Sequence, residues 1–162
     1  MGGGFSRITG EVDSTEIIHR RIHQGLSFAA DVSNQALGAA GVINILIQVG
    51  SKNSHMRFTS AVGDTCSLQL FEGTTFSAAG SAVTVSNRNR ASGVTALTTI
   101  TTAPTITLDG SSLGFVVQPA NVVLEASQLE WVLLANQDYL LRLTNVSASA
   151  AAVTVNLNFY EL

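Results

Sequence analysis

"AVTVNLNFYEL", residues 152–162, ends the chain and decides its class. Val153, Val155, Leu157 and Phe159 fall on one side, and Thr154, Asn156, Asn158 and Tyr160 on the other. Successive strand side chains point to opposite faces, so this two-residue period marks a half-buried strand. Working outward, "DYLLRLTN" (138–145) sets Tyr139, Leu141 and Leu143 against Leu140, Arg142 and Thr144. "HMRFTSAV" (55–62) sets Met56, Phe58 and Val62 against Arg57 and Thr59. "GVINILIQVG" (41–50) is apolar on both sides, the pattern of a strand covered on both faces. Turn signals separate these runs at Gly50-Ser51, Gly63-Asp64, Glu72-Gly73, Ser92-Gly93, Asp109-Gly110 and Asn136-Gln137-Asp138. Short strands at this spacing predict an all-β sandwich or barrel. The Thr-rich "TALTTITTAPTITLDG" (95–110) suits extended structure, with Pro104 marking an edge or a break.

Two segments could be helical. "STEIIHRRIHQG" (14–25) offers Ser14 or Thr15 as a cap and Gly25 as a stop. Ile17, His19, Arg21 and His23 also alternate against Ile18, Arg20 and Ile22, and "GLSFAADV" continues in an extended pattern, so a strand is expected. "VSNQALGAAG" (32–41) is too short and glycine-laden for a stable helix and reads as a loop. The opening "MGGGFSRITG" reads as a flexible arm, residues 1–12, ahead of one domain, residues 13–162. Gly2 and Ser6 match the N-myristoylation pattern by letter, but so short a match is better read as part of that arm.

The chain is 46% hydrophobic with a net charge of −3, enough apolar surface for a core. Glu and Lys are too scarce for a coiled coil. Seven arginines and Lys52 are dispersed, and Ala91–Leu141 carries no cation. Neutralising a nucleic-acid backbone needs a basic stripe, so no nucleic-acid partner is expected. No apolar run reaches the roughly 18 residues that span a bilayer, and the start lacks an export signal's pattern. No membrane association is expected. The lone Cys66, in "TCSLQLF", reads as a buried small hydrophobe.

Chemistry-bearing patterns are sparse. His19 and His23 stand four apart, a spacing that suits two zinc ligands on one helix face. No Glu follows His19 as a metalloprotease motif requires, and Arg20 and Arg21 would repel a cation. On the expected strand the two rings would stand about 13 Å apart and could not share an ion. No Gly-x-Ser-x-Gly elbow is present, and His55 could reach Cys66 only across a hairpin. The five aspartates and six glutamates are dispersed, so a glycosidase pair is unsupported. Trp131, in "LEWVLLA", reads as core or subunit interface. No catalysis, metal or cofactor is expected.

Five fragments, in order, carry a resemblance: "HQGLSFAA" (23–30), "HMRFTSAV" (55–62), "LFEGTTFSAAGSAVTVSNRNR" (70–90), "ANQDYLLRLTNVS" (135–147) and "NFYE" (158–161). Together they resemble the head decoration, or capsid cement, proteins of tailed bacteriophages, over roughly residues 16–162. The resemblance implies a jelly-roll-like antiparallel β-sandwich and a structural virion protein on the capsid exterior. The implied partners are the major capsid protein and further copies of the chain, as a trimer or dimer. A tail or fibre module recognising host glycan is the alternative.

"VTVSNRNRAS" (83–92) holds an isolated pair, Arg88 and Arg90, each behind an asparagine. If extended, both arginines share one side and Asn87 and Asn89 the other. Guanidinium groups grip carboxylates or carbonyls, and Glu72 is the nearest candidate in sequence. The residues Asn87, Arg88, Asn89, Arg90 and Glu72 are therefore expected to tether a long loop, or to clamp a neighbouring subunit or the capsid. Phe5, Arg7 and Ile8, with Arg20 and Arg21 behind them, are the expected contacts of an arm that could add to a neighbouring sheet.

Overall fold

A computed structural model describes residues 10–124 and 130–162, with side chains from residue 17 onward except that of residue 124. Eight strands form the body: β1 (Ser27–Leu37), β2 (Val42–Gln48), β3 (Ser54–Val62), β4 (Cys66–Glu72), β10 (Ser111–Gln118), β12 (Glu130–Leu133), β13 (Asp138–Asn145) and β14 (Ala151–Glu161). They pair antiparallel as first with last and so inward: β1 with β14, β2 with β13, β3 with β12, and β4 with β10. This is one long hairpin wrapped into two sheets. One sheet runs β12–β3–β14–β1 and the other β10–β4–β13–β2, the strand order of a jelly roll.

The remaining strands decorate this frame. Between β4 and β10 the chain makes an excursion through β5 (Thr75–Ala78), β6 (Ser81–Ala82), β7 (Ser86–Asn87), β8 (Thr99–Thr102) and β9 (Thr105–Leu108). β7 adds to β1 and β8 adds to β2, so the excursion closes both sheets at the same edge of the sandwich. β5 and β9 pair as a separate two-stranded sheet. At the opposite edge β11 (Val123–Leu124) pairs with β3. Gly110 makes the return possible: its φ is +95°, and a Cβ there would stand 2.2 Å from the Glu72 carbonyl oxygen.

The core forms where the alternation predicted. Val153, Val155, Leu157 and Phe159 of β14 face Tyr139, Leu141 and Leu143 of β13 across one continuous cluster. Phe28 and Phe159, register partners on β1 and β14, pack with ring centroids 5.5 Å apart. Burying each such ring contributes about 2–3 kcal/mol. β2 is covered on both faces, with Ile45, Leu46 and Ile47 all 0% exposed. Cys66 is buried in the cluster, and Trp131 packs half-buried against it. Cys66 points inward from β4 whereas His55 stands on the outer, half-exposed side of β3, so the two do not meet.

Two local expectations are overturned. Residues expected as a strand form α1 (Gly10–His23). Both neighbours of β1 in its sheet are already taken by β14 and β7, which leaves no place for a further strand there. The helical period then resolves the ambiguous pattern: Ile18, Arg21 and Ile22 are half-buried, while Ile17, His19, Arg20 and His23 face out. Because α1 begins at Gly10, the boundary expected at residue 12 falls inside it. The segment read as a loop at 32–41 is mostly strand, since β1 continues to Leu37, with a bulge between Asn34 and Leu37. Among the described residues, no helix is long and apolar enough to cross a membrane.

Candidate functional site

The most structured polar site lies on the outer face of the β14 sheet, beside the C-terminal end of α1. Register places His55 opposite Tyr160 on β14 and Val132 on β12. Two residues on, Arg57 lies opposite Asn158 and Glu130. Arg57 donates from Nε to Glu130 Oε2 at 2.9 Å. His55 Nε2 bonds the other carboxylate oxygen, and its Nδ1 bonds the Tyr160 hydroxyl. A carboxylate only accepts, so Nε2 carries the proton and, in the neutral ring, Nδ1 accepts from the phenol. The Arg21 guanidinium sits 5.8 Å from the Tyr160 ring centroid and ties α1 to this face.

Burial by itself would raise the Glu130 carboxyl, but the hydrogen bonds and charges of Arg57 and His55 outweigh it and hold the group below its ordinary range. Tyr160 moves the other way, raised by burial and by the Glu130 charge against the opposing pull of Arg21 and Arg57. A histidine–carboxylate pair is the base half of a nucleophilic triad. Here the second ring nitrogen is taken by the Tyr160 phenol, so the bonds run as one chain from Glu130 through His55 to Tyr160. Beside it opens a cavity of about 230 Å³ lined by Ile18, His55, Arg57, Arg88, Asn158 and Tyr160, among others. That space suits one small polar group, below the size of drug-sized pockets.

The excursion reaches this site through "SNRNR". β7 ends at Asn87 and the chain turns at once, which separates the two arginines. Arg88 lines the cavity, while Arg90 lines a second hollow beside Phe28 and Val94. Both are exposed, and neither has a carboxylate partner among the described residues. The tether is built by the asparagines. Asn87 Nδ2 donates to the carbonyls of Gly25 at 2.7 Å and Val94 at 2.9 Å, and its Oδ1 accepts the Asn89 amide at 2.9 Å. Asn89 Nδ2 donates to the His23 carbonyl at 3.1 Å, at the last turn of α1. The Arg88 amide donates to the Ser27 carbonyl at 2.8 Å.

Gly25 sits at the centre of this junction. The Gly25 amide bonds the Ile22 carbonyl and the Leu26 amide bonds that of Arg21, the paired bonds of a Schellman cap. Gly25 has φ +70°, and a Cβ there would lie 2.2 Å from Ser92 Oγ of the excursion. Glu161 holds the far end of the same loop, its Oε1 accepting the amides of Leu97 at 2.8 Å and Thr98 at 2.7 Å.

Glu72 lies elsewhere, on β4 in the other sheet. It accepts from the Tyr139 hydroxyl at 3.0 Å, and that hydroxyl accepts the Leu134 amide at 2.8 Å. Burial, and then Glu72, push the Tyr139 hydroxyl up to about 12 despite the Leu134 amide. Arg20 is exposed on α1, and Phe5, Arg7 and Ile8 lie outside the described residues. Sequence reading weighed His55 only against Cys66 and passed over Arg57 and Glu130, because the three meet only through strand register. It also passed over Arg142, which grips Asp109 of the excursion bidentately at 2.7 and 2.6 Å and lies 5.2 Å from the Phe71 ring centroid. The Arg142 hydrogen bonds hold the Asp109 carboxyl below its ordinary value.

The edge opposite the excursion is different in kind. Phe115 and Val117 of β10, Val123 of β11 and Val132 of β12 are all more than half exposed there, at 57%, 53%, 60% and 52%. Trp131 closes the gap behind them, 3.3 Å from the point where a Cβ on Gly114 would stand. Compared with known proteins, the sequence matches no family model and no curated protein.

Proposed function

We propose that this chain is a structural virion protein that decorates and cements the outside of a tailed-phage head, seated on the major capsid protein as a trimer or dimer. The observation that carries the reading is the contrast between the two edges of the sandwich. One edge is shut by the chain's own excursion through β7 and β8. At the other, β10 and β12 present Phe115, Val117 and Val132 to solvent with no strand beyond them among the described residues. Open strand edges and exposed apolar side chains promote association, and folds ordinarily blunt them unless a partner covers them. The resemblance of residues 16–162 to head decoration proteins supplies the partner. Many copies on a lattice make a modest contact persistent, and binding only the assembled shell stabilises it by mass action.

Co-sedimentation with heads lacking this polypeptide tests the reading. The wild-type chain should pellet with heads, and a folded Phe115→Asp/Val117→Asp variant should stay in the supernatant. Failure of the wild-type chain to bind, or equal binding by the variant, refutes it. The cavity with Arg57, Arg88, Asn158 and Tyr160 favours a second reading, a tail or fibre module that recognises host glycan. Sedimentation with host envelopes in place of heads separates the two.

A further inference from the structure

We propose that His19 and His23 form a bidentate clasp for a divalent transition-metal ion on the outer face of α1. The helix brings together two rings that an extended chain would hold apart. Their Nε2 atoms lie 3.1 Å apart, with the ring planes at 73°. With metal–nitrogen bonds of about 2.05 Å, nitrogens 3.1 Å apart subtend about 98° at a shared ion. That angle falls between the roughly 90° of an octahedral or square site and the roughly 109° of a tetrahedral one. The donor spacing is therefore already set: the two nitrogens stand close enough to share a proton, and an ion would take that proton's place once the rings turn to face it. Both histidines are exposed, so an ion reaches them without opening the fold and water can fill its remaining positions.

The neighbouring charges are less adverse than the sequence suggested. Arg21 is two residues from each histidine and turns the opposite way on the helix, toward the Tyr160 ring. Arg20 is exposed on the flank, and its charge can move away into solvent. Imidazole pairs select Zn²⁺, Ni²⁺ and Cu²⁺ over Mg²⁺ and Ca²⁺, which demand oxygen ligands. The Asn89 side-chain Nδ2 already anchors the His23 carbonyl to the excursion, so an ion bridging residues 19 and 23 would fix the last turn of α1 against the loop that carries Arg88.

Titration of the full chain with ZnCl₂ and with NiCl₂ in a non-chelating buffer tests this. The readouts are the histidine ring resonances and the hydrogen exchange of amides 19–24. The His19 and His23 resonances should shift together with one ion per chain, and exchange of the last helical turn should slow. His19→Gln and His23→Gln, each on an exposed position, should each weaken binding roughly tenfold or more, because the second imidazole no longer binds intramolecularly. MgCl₂ should do nothing. The proposal is overturned if these resonances are unmoved at about 1 mM Zn²⁺, where even weak specific sites fill. It is also overturned if single replacement of either histidine leaves the affinity unchanged.

Discussion

Replacing Asn87 and Arg88 separately by alanine asks which half of "NR" holds the excursion. Asn87 makes three hydrogen bonds, donating to the carbonyls of Gly25 and Val94 and accepting the Asn89 amide. A net hydrogen bond in a folded protein contributes about 1 kcal/mol, and partners left unsatisfied cost more where water cannot reach them. Asn87→Ala should therefore destabilise the fold by about 2–3 kcal/mol. Arg88 uses its amide, which alanine retains, to bond Ser27, while its side chain is exposed. Arg88→Ala should cost no more than about 0.5 kcal/mol. In a chain of this size 1 kcal/mol moves the melting temperature by about 2–4 °C, so the expected losses are roughly 4–12 °C against 2 °C or less. Thermal unfolding followed by circular dichroism, with urea unfolding as a second measure, reads the difference. Equal losses for the two variants, or an Asn87→Ala protein that melts with the wild type, would refute the reasoning.

Three further outcomes follow from the same junctions. Gly25→Ala should cost about 2–3 kcal/mol, from a left-handed residue bearing a Cβ and from the displacement of Ser92, and urea unfolding would show it. Glu130 and Asp109 are both held below their ordinary values, so between the folded and unfolded values the unfolded chain binds more protons. Their contribution is complete above about pH 4.5 and is lost as pH falls through the folded values, so stability should decline in acid, less steeply in Glu130→Gln. A double-mutant cycle of Arg142→Ala and Asp109→Ala should give a coupling of about 1 kcal/mol, the range for a partly exposed bidentate pair, and a value near zero would remove this clamp from the account.

The sequence alone determined the layers. Two-residue alternation in 152–162, 138–145 and 55–62 named the inward side chains correctly, because a half-buried strand records its burial in its own spacing. The double coverage of β2 was written in apolar residues that fall on both of its sides, Ile45 and Ile47 on one and Leu46 on the other. Spacing is silent on partners. Nothing local distinguishes β14 paired with β1 and β3 from any other arrangement, so the His55–Glu130–Arg57–Tyr160 cluster was invisible until register brought three distant segments, β3, β12 and β14, together. The segment 14–25 shows the limit most plainly. Its pattern fitted strand and helix alike, and only the surrounding sheet, with β14 and β7 already flanking β1, decided for the helix. That choice alone turned two histidines from separate surface groups into a pair whose nitrogens nearly touch, because side-chain proximity follows the backbone period and tertiary packing selects the period.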